Sequence, residues 1–111
     1  MTRQIKESDW KLFRRLHPVA LERFCQQVIE EISQTTANCT GEYHKRYLEV
    51  YRTIKERDKE MGRAFDDMRR STAFFLLANI RGSDLLTDDE FSQFSLETRE
   101  AVEVILGICR G

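Results

Sequence analysis

The side chains best suited to chemistry lie around His44, where Tyr43 and Tyr47 accompany the imidazole on a predicted helix. An imidazole accepts or donates a proton near neutral pH, so this group could assist a proton transfer. No nucleophile and no oxyanion-stabilising group stands at a readable spacing from it. The sequence therefore leaves the question of an enzyme open but favours a protein without catalysis. We assign no catalytic residue and retain His44 and Tyr43 as candidates for a functional surface.

Metal ligands and reactive thiols are equally sparse. The chain has no C-x-x-C, H-x-x-x-H or E-x-x-H motif, so we predict no metal site and no cofactor. His17, the only other imidazole, is expected to cap a helix or bridge two helices. The three cysteines are odd in number and widely spaced, which favours reduced thiols. Cys39 precedes a predicted helix and is the candidate for redox reactivity, Cys25 is predicted to be core, and Cys109 lies at the end of the last helix.

Composition limits the class of protein. The 111 residues carry 18 Lys and Arg against 19 Asp and Glu, a net charge of -1, with 41% hydrophobic residues. This balance predicts one folded domain over residues 1–111 and disfavours binding to nucleic acid or membrane by bulk electrostatics. The first residues lack the apolar run of a secretory signal, and the longest apolar stretch, 73–80, is far shorter than the ~20 residues of a membrane span. We therefore expect a cytoplasmic protein without membrane contact.

The spacing of apolar residues predicts helices almost throughout, and one Pro with five Gly provides too few turns for a many-stranded β protein. Pro18 is expected to end one helix and begin the next. The fold class is therefore all-α, a bundle of four to five helices built around one long central helix at about residues 42–81. The predicted helices cover residues 9–16, 18–33, 42–81, 87–94 and 96–108.

Apolar positions along the long helix recur in steps of four and three residues, which is typical of a coiled-coil seam. At 1.5 Å per residue the helix would be about 58 Å long and would overhang a domain with a radius of gyration of about 13 Å. We therefore predict a homodimer, parallel or antiparallel, that covers the seam. The alternative is a helix that breaks near Gly62 and folds back as a hairpin. The predicted interface residues are Tyr47, Tyr51, Ile54, Asp58, Met61, Phe65 and Met68.

Two arginine pairs, Arg14 with Arg15 and Arg69 with Arg70, are the remaining candidates for a functional surface. A dimer could bring both pairs onto one face and bind nucleic acid. No helix-turn-helix spacing accompanies them, and the acidic residues just before Arg69 predict ion pairs within the chain. Nucleic acid is therefore a disfavoured partner.

Three functions remain open. The first, which the sequence favours, is a non-enzymatic cytosolic protein that homodimerises through its long helix and presents a helical face to another, unidentified protein. The second is a nucleic-acid-binding regulator that uses the two arginine pairs. The third is a small enzyme or ligand-binding protein built around His44 and Tyr47.

Five segments of the chain carry a resemblance that covers most of its length. They are DWK at 9–11, HPVALERFC at 17–25, HKRYL at 44–48, RRSTA at 69–73 and FSLETRE at 94–100. With these segments the chain resembles a family of short, uncharacterised bacterial proteins that are all helical. The resemblance implies a bacterial origin and cytosolic residence. It implies no activity, substrate or cofactor, so no functional residue is transferred.

Overall fold

The structure, a computed structural model, describes residues 4–37 and 41–110, the last two by their backbone alone, and every regular element in those residues is helical. The predicted all-α fold is confirmed. The prediction for Cys39 lies outside the described residues, as does the side chain of Cys109. The elements are α1 (Glu7–Ala37), α2 (Tyr43–Phe65), a 3-10 turn (Arg70–Thr72), α3 (Ala73–Gly82), α4 (Asp88–Ser92) and α5 (Leu96–Arg110).

Helices α1 and α2 form an antiparallel hairpin. Three contacts define its direction, because the residue number falls along α2 as it rises along α1: His17 with Phe65, Glu31 with Arg57, and Thr36 with Arg46. The hairpin makes the molecule elongated, with dimensions of 57 × 24 × 24 Å. Between positions 24 and 64 no described residue is buried. Residues 25–37 and 41–63 therefore form a two-helix projection, which we call the hairpin arm.

The hydrophobic core lies at the base of this arm, where α3 packs against both helices, α5 packs against α3, and α4 and α5 contact α1. Phe13, His17, Phe65 and Phe24 form a chain of edge-to-face rings with centroids 5.3 to 6.0 Å apart. Nε2 of His17 lies 3.2 Å from the carbonyl oxygen of Phe65, the last residue of α2. His17 thus joins two helices, as the sequence predicts. Other fully buried side chains of the core include Ile5, Leu77, Ile80, Leu85, Phe94 and Val102.

The first correction concerns Pro18, which lies inside α1 instead of separating two helices. Proline removes one backbone hydrogen bond and costs a helix interior ~3 kcal/mol. The ring of Pro18 is exposed, so water can solvate the carbonyl that it leaves unpaired. On the other side of the helix, Phe13, Ala20 and Phe24 are buried in the core both before and after the proline. Core packing on both sides of Pro18 therefore outweighs the tendency of proline to end a helix.

This arrangement predicts that Pro18→Ala stabilises the protein. The variant restores a helical hydrogen bond but also gives the unfolded chain more conformational freedom, so we expect a net gain of about 1.5 kcal/mol in the free energy of unfolding. Urea denaturation followed by circular dichroism measures the gain. Glu22→Ala, at another exposed position of α1, should shift the unfolding free energy by less than about 0.5 kcal/mol. A loss of stability in Pro18→Ala would contradict this account of the proline.

The second correction concerns the long helix predicted over 42–81, which does not exist as one element. Helix α2 ends at Phe65, and the chain turns before α3 begins at Ala73. The amide of Asp66 donates to the carbonyl of Gly62, closing the last turn of α2. Helix α3 then folds back, and the side-chain amide of Asn79 donates to the carbonyl of Arg63. The alternative prediction, a helix that breaks near Gly62 and folds back on itself, is therefore closer to the structure, with α3 as the segment that folds back.

Two adjacent aspartates explain the turn. Asp66 adopts an extended conformation and Asp67 a left-handed one with φ 59°, which aspartate tolerates better than most residues. Thr72 closes the turn. Its hydroxyl donates to the carbonyl of Asp67 at 2.6 Å and accepts from the amide of Arg69 at 3.1 Å. The helical spacing of apolar residues continues through this break, so it wrongly predicted one continuous helix.

Candidate functional site on the hairpin arm

Polar contacts join α2 to α1 along one line of the helix. Arg57 donates two hydrogen bonds to Glu31 of α1, from Nη2 at 2.9 Å and Nε at 3.1 Å, and a further bond to Glu60 at 2.8 Å. The hydrogen bonds from Arg57 lower the pKa of Glu31 below its ordinary value. Near the tip of the arm, Arg46 donates to the carbonyl of Thr36. Charged and backbone groups therefore hold this half of the hairpin together.

The apolar row of α2 points elsewhere. Tyr47, Tyr51 and Ile54 are 66%, 58% and 48% exposed, although their spacing is that of a buried helix face. At 100° per residue, the row lies about a quarter turn around α2 from the line of residues that contacts α1. Tyr43 extends the row to the tip, where the guanidinium of Arg46 lies 5.2 Å from its ring centroid. The arm thus presents an aromatic and aliphatic face that no described residue covers.

A groove between the two helices continues this face. Its volume is about 240 Å³, and its lining is mostly apolar. Cys25, Ile29 and Ile32 supply the wall from α1, and Ile54 and Met61 supply the wall from α2. We call the apolar row and this groove together the arm face.

The predicted interface residues separate into two groups. Tyr47, Tyr51, Ile54 and Asp58 are exposed on the arm, and Met61 is half-buried in the groove wall, so these five share the arm face. Phe65 instead belongs to the core, where it is 6% exposed and contacts the rings of His17 and Phe24. Met68 lies in the turn after α2 and packs against the core. Neither Phe65 nor Met68 is available to a partner on the arm face.

The contribution of α1 to this face is the part that the sequence analysis missed. Cys25 was predicted to be core, and Ile29 and Ile32 recur with it at the helical spacing that is typical of a buried face. The structure leaves Ile29 exposed and the other two half-buried. The number and length of the helices could have predicted this exposure. Helices α2 to α5 are too few and too short to cover both sides of α1 over its 31 residues.

The other candidates do not assemble into a reactive centre within the described residues. His44 and Tyr43 lie exposed at the start of α2, and His44 has no hydrogen bond or ion pair to any described residue. No three His, Cys, Asp or Glu side chains in the described part of the chain converge on a point that could hold a metal ion. The geometry around His44 is therefore that of a surface, without a positioned acid and base pair.

The two arginine pairs have different surroundings. Arg69 pairs with Asp67 at 2.7 Å, which confirms the predicted local ion pair. Arg70 pairs with Glu7 at 2.7 Å and donates to the carbonyl of Ile5 at 2.8 Å. Arg14 and Arg15 are exposed on α1 and contact no carboxylate among the described residues. The four arginines therefore do not form one free cationic surface within a protomer.

Neither the apolar character of the helices nor similarity to known proteins adds to this geometry. None of the helices within residues 4–37 and 41–110 combines the length and the apolar character that a bilayer crossing requires. No family model, curated protein or solved structure matches this chain.

Proposed function

We propose that this chain forms a homodimer through the arm face and acts as a non-enzymatic protein-interaction module. The observation that carries the proposal is the orientation of α2, which leaves Tyr47, Tyr51 and Ile54 exposed about a quarter turn around the helix from its contacts with α1. A contiguous exposed apolar face of this kind marks an interaction site in a soluble protein. Tyrosine is also enriched in protein interfaces, where its ring packs and its hydroxyl can remain hydrated.

A second copy fits the arm face because of the way helices form layers. Two antiparallel helices bury only the sides that face each other, and a second pair is needed to make a four-helix bundle with an apolar centre. In a symmetric dimer the same surface serves both partners, so the arm face of one protomer would cover that of the other. Such a dimer buries the apolar row and the groove at once.

The size of the face supports a dimer of modest affinity. Over residues 43–58 the face is about 24 Å long, and two helices side by side are about 20 Å wide. These dimensions give about 500 Å² per protomer and about 1,000 Å² for a pair, which is the lower end of the range for specific interfaces.

The remaining parts of the proposal come from the sequence. Bacterial origin and residence in the cytoplasm rest on the resemblance of the five segments. A role in binding a further protein rests on the faces of α3 and α5 that stay outside the arm, where Phe75 and Val104 are exposed. The first function weighed from the sequence is thus the one that the geometry favours, with the hairpin arm in place of a single long helix.

Light scattering coupled to size exclusion, in reductant and over a wide concentration range, tests the dimer. We expect the wild type to approach twice the protomer mass of 13.2 kDa. Ile54→Asp places two carboxylates in the apolar centre of a symmetric interface, so it should weaken the dimer by about 100-fold and leave a monomer. Its helical content should stay unchanged, because Ile54 is half-exposed in the protomer.

Val104→Asp is the matched control, because it introduces the same charge at an exposed apolar residue of α5, away from the arm. We expect it to remain a dimer. A wild type that is monomeric at all concentrations would contradict the proposal, and so would an Ile54→Asp variant that keeps the oligomer. Dissociation in Val104→Asp alone would assign the interface to α5. Phe65→Asp is not a useful probe, because it would bury a carboxylate in the core of the protomer.

A further inference from the structure

Most Lys and Arg side chains in the described part of the chain contact an acceptor of the same molecule. Seven bind a carboxylate, and Arg46 and Arg99 donate to backbone carbonyls. The exceptions within residues 4–37 and 41–108 form two clusters. One is on α1 and the other on α2: Lys11, Arg14 and Arg15, then Arg52, Lys55, Lys59 and Arg63.

The four cations of α2 form a continuous line, which we call the basic row. Their spacing of three, four and four residues places them on one side of the helix over about 16 Å. All four are exposed. Glu56 lies on the same side but makes no ion pair with them within 4.0 Å. The basic row faces away from α1, so it is separate from the arm face and remains open in the proposed dimer.

The near-neutral composition conceals this arrangement. Residues 43–65 contain seven basic and four acidic residues, whereas residues 84–103 contain one basic and seven acidic residues. The acidic segment forms α4 and most of α5 at the base of the molecule, and the basic segment forms α2. The hairpin arm as a whole is neutral, with seven basic and seven acidic residues in 25–37 and 41–63. The excess of positive charge therefore belongs to the exposed side of α2, and neither the net charge of the chain nor that of the arm reveals it.

We propose that the basic row binds the sugar-phosphate backbone of a nucleic-acid duplex. Lys55, Lys59 and Arg63 are like charges at four-residue spacing, which repel one another on an isolated helix, and a polyanion relieves that repulsion. A rigid helix holds the four cations at fixed intervals along a line, as a run of phosphates requires. Binding is independent of base sequence, since contacts to phosphate carry no sequence information. An anionic membrane is a poorer match, because a membrane-surface helix inserts its apolar side and the proposed dimer covers the apolar row of the arm.

Fluorescence anisotropy of a labelled duplex, titrated with the full chain at several salt concentrations, tests the proposal. Four phosphate contacts predict a slope of about -3.6 for log K against log [salt]. Affinity should be in the micromolar range at low salt and should fall steeply as salt rises. Because a single protomer carries the whole row, Ile54→Asp should still bind. The result therefore separates this proposal from that of the dimer.

Charge reversal locates the contact. Lys55→Glu combined with Lys59→Glu should weaken duplex binding at least about 10-fold, since two phosphate contacts become repulsive. Lys11→Glu combined with Arg14→Glu makes the same charge change in the other unpaired cluster and should alter binding by less than about 3-fold. Circular dichroism checks that both variants remain helical.

Equal losses in the two variants would mean non-specific attraction and would overturn the proposal. So would an absence of salt-dependent binding, or binding to phosphatidylserine vesicles without binding to the duplex.

Discussion

We expect Asp9→Ala to lower the free energy of unfolding by about 4 kcal/mol. Asp9 is 4% exposed, although it lies in the first turn of α1. Its carboxylate accepts three hydrogen bonds: from the amide of Ser95 at 3.0 Å, from the Ser95 hydroxyl at 2.5 Å and from the Thr98 hydroxyl at 2.6 Å. The alanine variant leaves all three donors without their acceptor in the folded state.

The size of the effect follows from the place of this contact in the fold. Ser95 immediately precedes α5, so Asp9 acts as a cap for that helix from a distant part of the chain. Its negative charge lies at the positive end of the α5 dipole. Thr98 is itself buried, so water cannot replace the lost acceptor. The substitution therefore detaches the start of α1 from the start of α5.

The same contact predicts a dependence on pH. Burial alone raises the pKa of Asp9, but the hydrogen bonds from Ser95 and Thr98 outweigh burial and lower the pKa below the ordinary value of 3.8. Because the folded-state pKa is the lower one, the stabilisation is fully present above that ordinary value and is lost as the pH falls below it. Guanidinium unfolding at neutral and acidic pH measures the loss, which should be smaller in Asp9→Ala than in the wild type because Glu90 still contributes to it.

Two matched variants separate the hydrogen bonds from simple packing. Asp9→Asn keeps the shape and one acceptor oxygen, so it should cost about 2 kcal/mol. Thr98→Val removes one hydroxyl without changing the volume and should cost about 1 kcal/mol. If Asp9→Ala were as stable as the wild type, the capping role of Asp9 would be refuted.

The second large effect is expected at the ion pair that joins α1 to α4. Arg23 contacts both carboxylate oxygens of Glu90, at 2.6 and 3.0 Å, and also donates to the carbonyl of Leu85 at 2.9 Å. Glu90 completes the capping box of α4, since its side chain accepts from the amide of Thr87 at 2.8 Å. Arg23→Ala should destabilise the protein by about 3 kcal/mol. The mostly buried carboxylate of Glu90 and the carbonyl of Leu85 both lose the guanidinium as a hydrogen-bond donor.

Acid should break the same pair. The hydrogen bond from Arg23 lowers the pKa of Glu90 from 4.5 to about 2. This contribution to stability is complete above pH 4.5 and is lost as the pH falls towards 2, since in that interval the unfolded state binds a proton that the folded state does not hold. Arg23→Ala should therefore show a shallower loss of unfolding free energy than the wild type over that interval.

The ion pair of Arg81 with Asp88 supplies the control. It has a similar length of 2.7 Å, but the Asp88 side chain is 94% exposed. Asp88→Asn should therefore change stability by less than about 0.5 kcal/mol. Equal costs for Asp88→Asn and Arg23→Ala would show that burial does not set the strength of these pairs and would contradict the prediction.

The sequence by itself determined the features that depend on neighbours within a few positions. Helical periodicity gave the all-α class. The Thr87 to Glu90 spacing is that of a capping box, which the structure forms with both hydrogen bonds. The pairing of Arg69 with Asp67 is likewise local, because the two residues are two positions apart. Such contacts need no tertiary partner, so residue types and spacing suffice to predict them.

Local rules failed where distant packing competed with them. Pro18 remains inside α1 because core residues on both sides of it hold the helix together. The break after Phe65 was hidden because the apolar period continues into α3, while the Asp66 and Asp67 doublet gives only a weak turn signal. A pattern of period 3.5 does not record whether the chain has turned between two of its repeats.

Only the tertiary structure decided which apolar residues are covered. The seam of α2 supplies Phe65 to the core but leaves Tyr47, Tyr51 and Ile54 exposed, because the short helices reach the base of the hairpin and not its arm. The buried polar contacts of Asp9 and Arg23 were equally beyond the sequence, since their partners lie 86 and 67 positions away. Contacts at such separations depend on how whole helices pack, and helical periodicity specifies which residues share a face but not what that face meets.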